Sequence, residues 1–122
     1  MPDPASGAGL NRLLLQARLE TVEPLRRTPA GVPVAAATLH HVSRQVEAGL
    51  EREVSVELDA VAVGELAALL AAAPPGASVR VVGFLAAKSL RSRKPVLHLS
   101  EIEFLEGTEN GFQTQVQVQE KG

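Results

Sequence analysis

Two basic stretches of the chain contain no acidic residue, and cations in such a pattern are suited to holding the phosphates of a nucleic acid. The first covers residues 24–45 and the second residues 80–100. The acids collect at residues 47–65 and 101–120, so one face can be positive although the net charge is −2. Charge alone does not distinguish such a face from a set of solvated loops. The candidate phosphate-binding residues are Arg26, Arg27, Arg44, Lys88, Arg91, Arg93 and Lys94.

No combination of residues predicts catalysis or a metal site. The chain has no cysteine, which excludes disulfides and thiolate chemistry. His40 and His41 are adjacent, so on a strand they point to opposite faces and cannot chelate one metal together, and His98 stands alone. Glu101 and Glu103 lie beside neither a nucleophile nor a glycine-rich loop and are interpreted as solvated charges. No phosphate-binding loop motif is present. We therefore expect a binding protein without cofactor or metal, and not an enzyme.

The length of 122 residues, with 45% apolar side chains, predicts one domain. We expect residues 1–9 to form a disordered lead-in, residues 10–106 to form the folded domain, and residues 107–122 to form a polar C-terminal tail. The alternative for residues 115–119 is that they add an edge strand to the sheet instead of belonging to the tail. The longest apolar stretch, at residues 66–73, is far shorter than the roughly 20 residues of a membrane span. The N-terminus does not resemble a secretory signal, so we expect a soluble cytoplasmic protein without membrane contact.

Alternation of polar and apolar residues predicts three strands in the first half of the chain. The first begins near Leu13, with its odd-numbered residues inward and Leu14 on the outer face. The second covers residues 34–42 and the third residues 52–58. The third strand is expected to direct Val54, Val56 and Leu58 into the core. Turns are predicted at Thr28-Pro29-Ala30-Gly31 and at Glu47-Ala48-Gly49.

The second half of the chain predicts one helix and two strands. Leu66, Leu69, Leu70 and Ala73 have helical spacing, and we expect the three leucines to cover the end of the sheet. A strand follows at residues 78–85, where Gly83 suggests a bulge. In the last strand, residues 95–105, the apolar phase shifts near Ser100 and predicts a second bulge. This order of elements is that of the OB-fold, an all-β five-stranded Greek-key barrel with one short helix.

In the OB-fold, the second and third strands and the loops after the first and fourth strands bind oligonucleotides or oligosaccharides. Both acid-free basic stretches are predicted on this side of the barrel. Arg26 and Arg27 lie in the loop between the first two strands, and residues 88–94 form the loop between the last two. This coincidence favours a groove for a nucleic-acid backbone over a solvated surface.

Short motifs along the chain resemble those of one family of replication proteins. They are Asn11-Arg12-Leu13, Pro24 to Pro33, Leu39 to Ser43, Gln45 to Gly49 with Arg52, Gly83 to Ala86, and Val96-Leu97-His98. Over about residues 10–106 the chain resembles the primosomal replication protein N (PriB) family. The resemblance implies an OB-fold homodimer that binds single-stranded DNA and assists the primosomal helicase PriA in replication restart. It implies phosphate contacts from Arg27, Lys88, Arg91 and Lys94, beside which Arg26 and Arg93 carry the same charge.

The chain departs from this family in its aromatic residues. Members can stack bases on a tryptophan in the third strand and on an aromatic after the hairpin turn, where this chain has Ser55 and Leu50. It has no tryptophan and no tyrosine. Each stacked base is worth about 1 to 3 kcal/mol, so we expect binding chiefly through phosphates. The guanidinium planes of Arg27, Arg91 or Arg93 are candidates to stack on bases in place of the missing aromatic rings. Ser55 stays a candidate DNA contact because it occupies the position of the tryptophan.

The sequence also predicts the oligomeric state, the position of Phe84 and an alternative function. The outward Leu14 and the open edge that a barrel of this size leaves predict a homodimer. Phe84 is expected in the core or at the barrel rim, with a base contact as the less favoured alternative. The alternative function is an OB-fold protein-interaction module of the primosome with weak or no DNA binding.

Overall fold

Six strands and one helix make up residues 9–105, which are the residues that the computed structural model describes. They are β1 (Leu13–Val22), β2 (Arg26–Arg27), β3 (Pro33–Glu47), β4 (Leu50–Val63), α1 (Glu65–Ala71), β5 (Ser78–Ala87) and β6 (Pro95–Leu105). Apart from Gly9, the predicted lead-in and the predicted tail lie outside the described residues. Within residues 9–105, no helix has both the length and the apolar character that crossing a membrane requires.

The five long strands close into a barrel. Their order is β1-β5-β6-β4-β3, and pairing of β1 with β3 closes the ring. All neighbours are antiparallel except β4 and β6, which run parallel where residues 59–61 meet residues 96–98. The two-residue β2 extends the sheet at the edge of β3. A closed five-stranded barrel with its helix between β4 and β5 is the OB-fold, which confirms the predicted fold class.

The core is built from alternate residues of all five barrel strands and from α1. Leu13, Leu15, Ala17 and Leu19 of β1 face inward as predicted, and Leu14 is 61% exposed on the outer face. On β3 and β4 four of the core positions are filled by the small residues Ala35, Ala37, Ala60 and Ala62. The largest fully buried side chains are Leu19, Leu39, Leu70, Leu97, Val79 and Val81.

The helix forms where the sequence predicts it, and of the four residues predicted on its buried face only Leu69 is placed wrongly. Leu70 is fully buried as expected, whereas Leu69 is 45% exposed and Ala67 takes its place against the barrel. Leu66 is partly buried beside them. In an alanine-rich helix several faces are apolar, so spacing alone does not select one. The short side chain of Ala67 allows the helix to approach the barrel closely, and this places Leu69 on the solvent side.

The hairpin of β3 and β4 is longer than predicted and forms a two-stranded arm, residues 41–56. Its strands contain 15 and 14 residues. The turn is at Ala48 and Gly49, both with positive φ, and Glu47 pairs with Leu50 as predicted for a hairpin. Within residues 9–105, the backbone of the arm pairs only with itself. Val56 is 45% exposed rather than inward, because no element of the described part of the chain covers that face of the arm.

The bulges predicted at Gly83 and near Ser100 are one and the same β-bulge in the pairing of β5 with β6. Val82 pairs with Glu101 and Gly83 with Leu99, so Ser100 is the extra residue and the predicted shift at Ser100 is confirmed. The Ser100 hydroxyl donates to the carbonyl of Val82 at 3.1 Å. Gly83 lies opposite the bulge, where a Cβ would overlap the carbonyl oxygen of the neighbouring strand. The glycine therefore permits close approach of two backbones.

Candidate nucleic-acid interface

A cleft of about 420 Å³ lies on the outer face of the barrel, between β2 and the segment that joins β5 to β6. Arg26 lines one side of the cleft and Lys88 lines the other. Outward residues of β3, β4 and β6 form its floor, among them Thr38, Val61 and His98. The two basic stretches that the sequence places in separate loops therefore contribute to one concave surface.

The strand register explains how these residues meet. Directly paired residues on neighbouring strands point to the same face of a sheet, so each row of partners forms one band across the barrel. The first band is Ala36, Val61, His98 and Phe84, and the second is Thr38, Asp59, Val96 and Ala86. Both bands cross from β3 to β5, and Lys88 follows directly at the end of β5.

Phe84 and His98 form a stacked aromatic pair in the first band. Their ring centroids are 5.1 Å apart and their planes are 6° from parallel. Phe84 is 47% exposed, which is consistent with the predicted rim position. One face of its ring therefore lies on the imidazole, and about half of the residue's surface stays accessible to solvent.

The segment from Lys88 to Lys94 is ordered by its own hydrogen bonds. The amide of Lys88 donates to the carbonyl of Lys94 at 2.8 Å, and the amide of Ser89 donates to the carbonyl of Ser92 at 3.1 Å. The Ser89 hydroxyl also accepts from the amides of Arg91 and Ser92. This compact loop leaves the Arg91 and Arg93 side chains exposed.

On the opposite side, Arg26 and Arg27 lie in β2 rather than in a simple loop. They pair with Val34 and Pro33, which fixes their backbone against the edge of the barrel. The Arg27 guanidinium donates to the carbonyl of Gly31 at 3.1 Å and so folds over its own turn. Both arginine side chains are exposed.

The expectation that no acid offsets the cations of the β5–β6 loop is wrong for Lys94. Its ammonium lies 3.2 Å from the carboxylate of Asp59, because the parallel β4–β6 pairing brings an acid from elsewhere in the chain. Arg44 is paired in the same way with Glu51 at 3.2 Å. Five candidate cations have no acid within ion-pair distance in the described part of the chain. They are Arg26, Arg27, Lys88, Arg91 and Arg93.

Arg44 and Ser55 lie on the arm, away from the residues that line the cleft. Alternate positions of β4 form an acidic stripe, defined here as Glu51, Glu53, Glu57 and Asp59. Ser55 is in the middle of this stripe, and Arg44 pairs across the strands with Glu53. The period-two spacing of these acids is visible in the sequence, and it could have indicated that this face of the arm is negative.

His40 contacts two carboxylates that the sequence does not associate with it. Its Nδ1 atom lies 3.9 Å from a carboxylate oxygen of Glu20 and 3.8 Å from one of Glu57. Glu20 is at the register shift between β1 and β3, and Glu57 pairs directly with His40. Nδ1 is buried without a hydrogen-bond partner. The cluster joins the acidic stripe and increases its negative character.

Two other polar residues are also held in specific contacts. His41 is half-buried and hydrogen-bonded through both ring nitrogens: Nδ1 is 2.6 Å from the carbonyl oxygen of Gln16, and Nε2 is 2.7 Å from the hydroxyl of Ser43. Glu103 is not a purely solvated charge, because it accepts a hydrogen bond from the Arg80 guanidinium at 2.6 Å.

Comparison with known proteins gives a consistent set of relatives. A family model described as "another single-strand binding protein family" matches residues 11–101. The replication restart protein PriB of Bordetella pertussis is 42% identical over 81% of this chain and 92% of its own length. The structure of priB from Ralstonia solanacearum superimposes with a TM-score of 0.70 at 36% identity, covering 79% of this chain and 99% of that one. The structure of the single-stranded DNA binding protein from Thermus aquaticus superimposes with a TM-score of 0.68 at 25% identity. The match covers 83% of this chain and 52% of that one.

Proposed function

Since the chain belongs to the replication restart PriB family of single-strand binding proteins, we propose that it binds the phosphate backbone of single-stranded DNA in the cleft between β2 and the β5–β6 loop. The observation that carries this proposal is the position of Arg26 and Lys88 on opposite sides of one cleft. Arg27, Arg91, Arg93 and the Asp59-paired Lys94 extend the cationic surface around it.

The binding is independent of base sequence, because contacts to phosphates position a strand without reading its bases. Five of the proposed contacts are free of acidic partners among the described residues, so they need not break an ion pair to accept a phosphate. Lys94 must exchange its contact with Asp59. Arg44 and Ser55 stay predictions, and the acidic stripe beside them disfavours an approaching strand.

The cellular role that we propose is replication restart in the cytoplasm, where the protein assists the primosomal helicase PriA without itself catalysing a reaction. The names of the PriB relatives support the first part of this proposal. The alternative is an OB-fold protein-interaction module with weak or no DNA binding, and the acidic arm is the observation in its favour.

The proposal is tested with a triple variant of the β5–β6 loop, Lys88→Ala, Arg91→Ala and Arg93→Ala. Each phosphate contact with a single strand contributes about 0.7 to the slope of log K against log salt, so the variant should flatten the slope by about 2. Oligo-dT and mixed-sequence oligomers should lose affinity equally. The measurement is a salt titration of a labelled oligonucleotide, with circular dichroism as the check of folding.

A matched control removes the same charge elsewhere, with Arg18→Ala, Arg52→Ala and Arg80→Ala. These arginines are exposed and none of them lines the cleft. We expect their salt slope to stay near that of the parent protein. Equal slopes in all three proteins would contradict the assignment of the cleft, and absence of DNA binding by the parent protein would favour the protein-interaction alternative.

We further propose that the protein is a homodimer in which the outer face of β1 meets a second copy. In the described residues, the stretch 13–17 of β1 pairs with β5 only, and it leaves one strand edge open beside the exposed Leu14. Sedimentation should give about 26 kDa, twice the 12.8 kDa of one chain. Leu14→Asp should halve this mass and keep the fold. A monomeric parent protein at micromolar concentration would contradict the dimer.

A further inference from the structure

We infer that the stacked pair Phe84–His98 is a base-stacking platform, and that bound single-stranded DNA crosses the barrel over β6 and β5 instead of following the β3–β4 arm. This inference rests on the proposed DNA binding and adds the path of the strand. His98 connects the cleft to this platform, because it lines the cleft and stacks against the Phe84 ring.

The exposed surface of Phe84 is suited to a nucleobase. Aromatic rings bind bases by stacking, which tolerates any sequence because every base has a π-face. A ring that is held parallel to a second ring cannot rotate freely, so little side-chain freedom is lost when a base is added. Phe84 is 47% exposed, and apolar surface of this kind gains by being covered.

The cation at the end of β5 places a phosphate near this ring. Phe84, Ala86 and Lys88 alternate along one face, and Lys88 is four residues beyond Phe84, or about 13 Å in an extended strand. Lys88 and His98 line the same cleft. A phosphate bound at Lys88 therefore leaves the adjoining nucleotides beside the Phe84 ring.

The charges on the arm exclude the other path. Asp59 lines the cleft itself, and a strand that left the cleft toward the arm would also pass over Glu57, Glu53 and Glu51, the rest of the acidic stripe. The nearest cation there, Arg44, is already paired with Glu51. A phosphate chain is repelled by this surface, whereas β5 and β6 present no acid in the band that leads to Phe84.

The experiment uses two single-tryptophan variants, since the parent chain has no tryptophan. In Phe84→Trp the indole should retain DNA binding and its fluorescence should be quenched by oligo-dT, because the base lies on the ring. In Leu50→Trp the indole is on the arm, where Leu50 is 72% exposed. Its fluorescence should not change when DNA binds.

The second measurement compares oligo-dT with an oligomer of the same length that has an abasic backbone. The parent protein should prefer oligo-dT by about 5- to 150-fold, the factor that one stacked base provides. Phe84→Leu keeps an apolar side chain but no ring, and it should remove this preference while the salt slope stays unchanged. Equal melting temperatures of Phe84→Leu and the parent protein verify that the fold is intact.

Two results would overturn the inference and leave the proposed function standing: quenching of Leu50→Trp without quenching of Phe84→Trp, or an unchanged oligo-dT preference in Phe84→Leu. Failure of the parent protein to bind either oligomer would instead overturn the proposed DNA binding, so the two failures are distinguishable.

Discussion

Leu70→Asp is expected to lower the free energy of unfolding by more than about 4 kcal/mol, because it leaves a cavity and buries an unpaired carboxyl group. Leu70 is fully buried between α1 and the barrel, and the described core contains no buried polar or charged residue that could pair with the new group. Small domains are stable by about 5 to 15 kcal/mol, so the variant should be partly or wholly unfolded at room temperature. Urea denaturation followed by circular dichroism measures the loss.

The control is Leu69→Asp, one position away on the same helix. Leu69 is 45% exposed, so its carboxylate stays hydrated and the loss should remain within about 1 kcal/mol. The pair is sensitive to the orientation of α1 because both variants introduce the same charge into the same helix. Equal denaturation midpoints would mean that the buried face of the helix is assigned wrongly.

Gly83→Ala is expected to cost more than about 3 kcal/mol, although it adds a single methyl group. The new Cβ would overlap the carbonyl oxygen and carbon of His98, which are backbone atoms of the paired strand. These atoms cannot move aside without breaking the β5–β6 ladder next to the bulge at Ser100. Thermal denaturation of the purified variant, or its failure to accumulate as folded protein, is the measurement.

Gly76→Ala provides the comparison for this substitution. Gly76 has a φ of 91° and no atom within 4 Å of a Cβ built on it. Its replacement should therefore cost only about 1 kcal/mol, the usual strain of alanine in the left-handed region. If Gly76→Ala were the more harmful change, backbone conformation rather than the close approach of β5 and β6 would control the stability of this region.

Local patterns in the sequence predict most of the barrel. The strand β6 runs from Pro95 to Leu105 as predicted, and the shift of its apolar phase locates the bulge at Ser100. Such features are readable because they depend on residues a few positions apart on one strand. The hairpin turn at Ala48 and Gly49 belongs to the same class.

Features that depend on distant segments are not predicted. The orientation of α1 is set by how closely Ala67 approaches the barrel, and alanines on several faces hide this choice. The partner of Lys94 is Asp59, which only the parallel pairing of β4 with β6 brings into reach. The stacking of Phe84 on His98 requires the register of β5 with β6. In the candidate site, sequence thus gives the residue types, and the register decides which of them meet.

The closure of the barrel also sets the order in which the chain can fold. Leu13 pairs with Gly83 and Arg18 with Ser78, so β1 acquires its β5 partner only after most of the domain has been synthesised. The hairpin of β3 and β4 is local and can form much earlier. Non-local strand pairing must first overcome the entropy of closing a long loop, and barrels of this kind fold in about milliseconds to seconds. On the ribosome, β1 can pair with β3 early, but its edge toward β5 stays exposed until β5 has emerged.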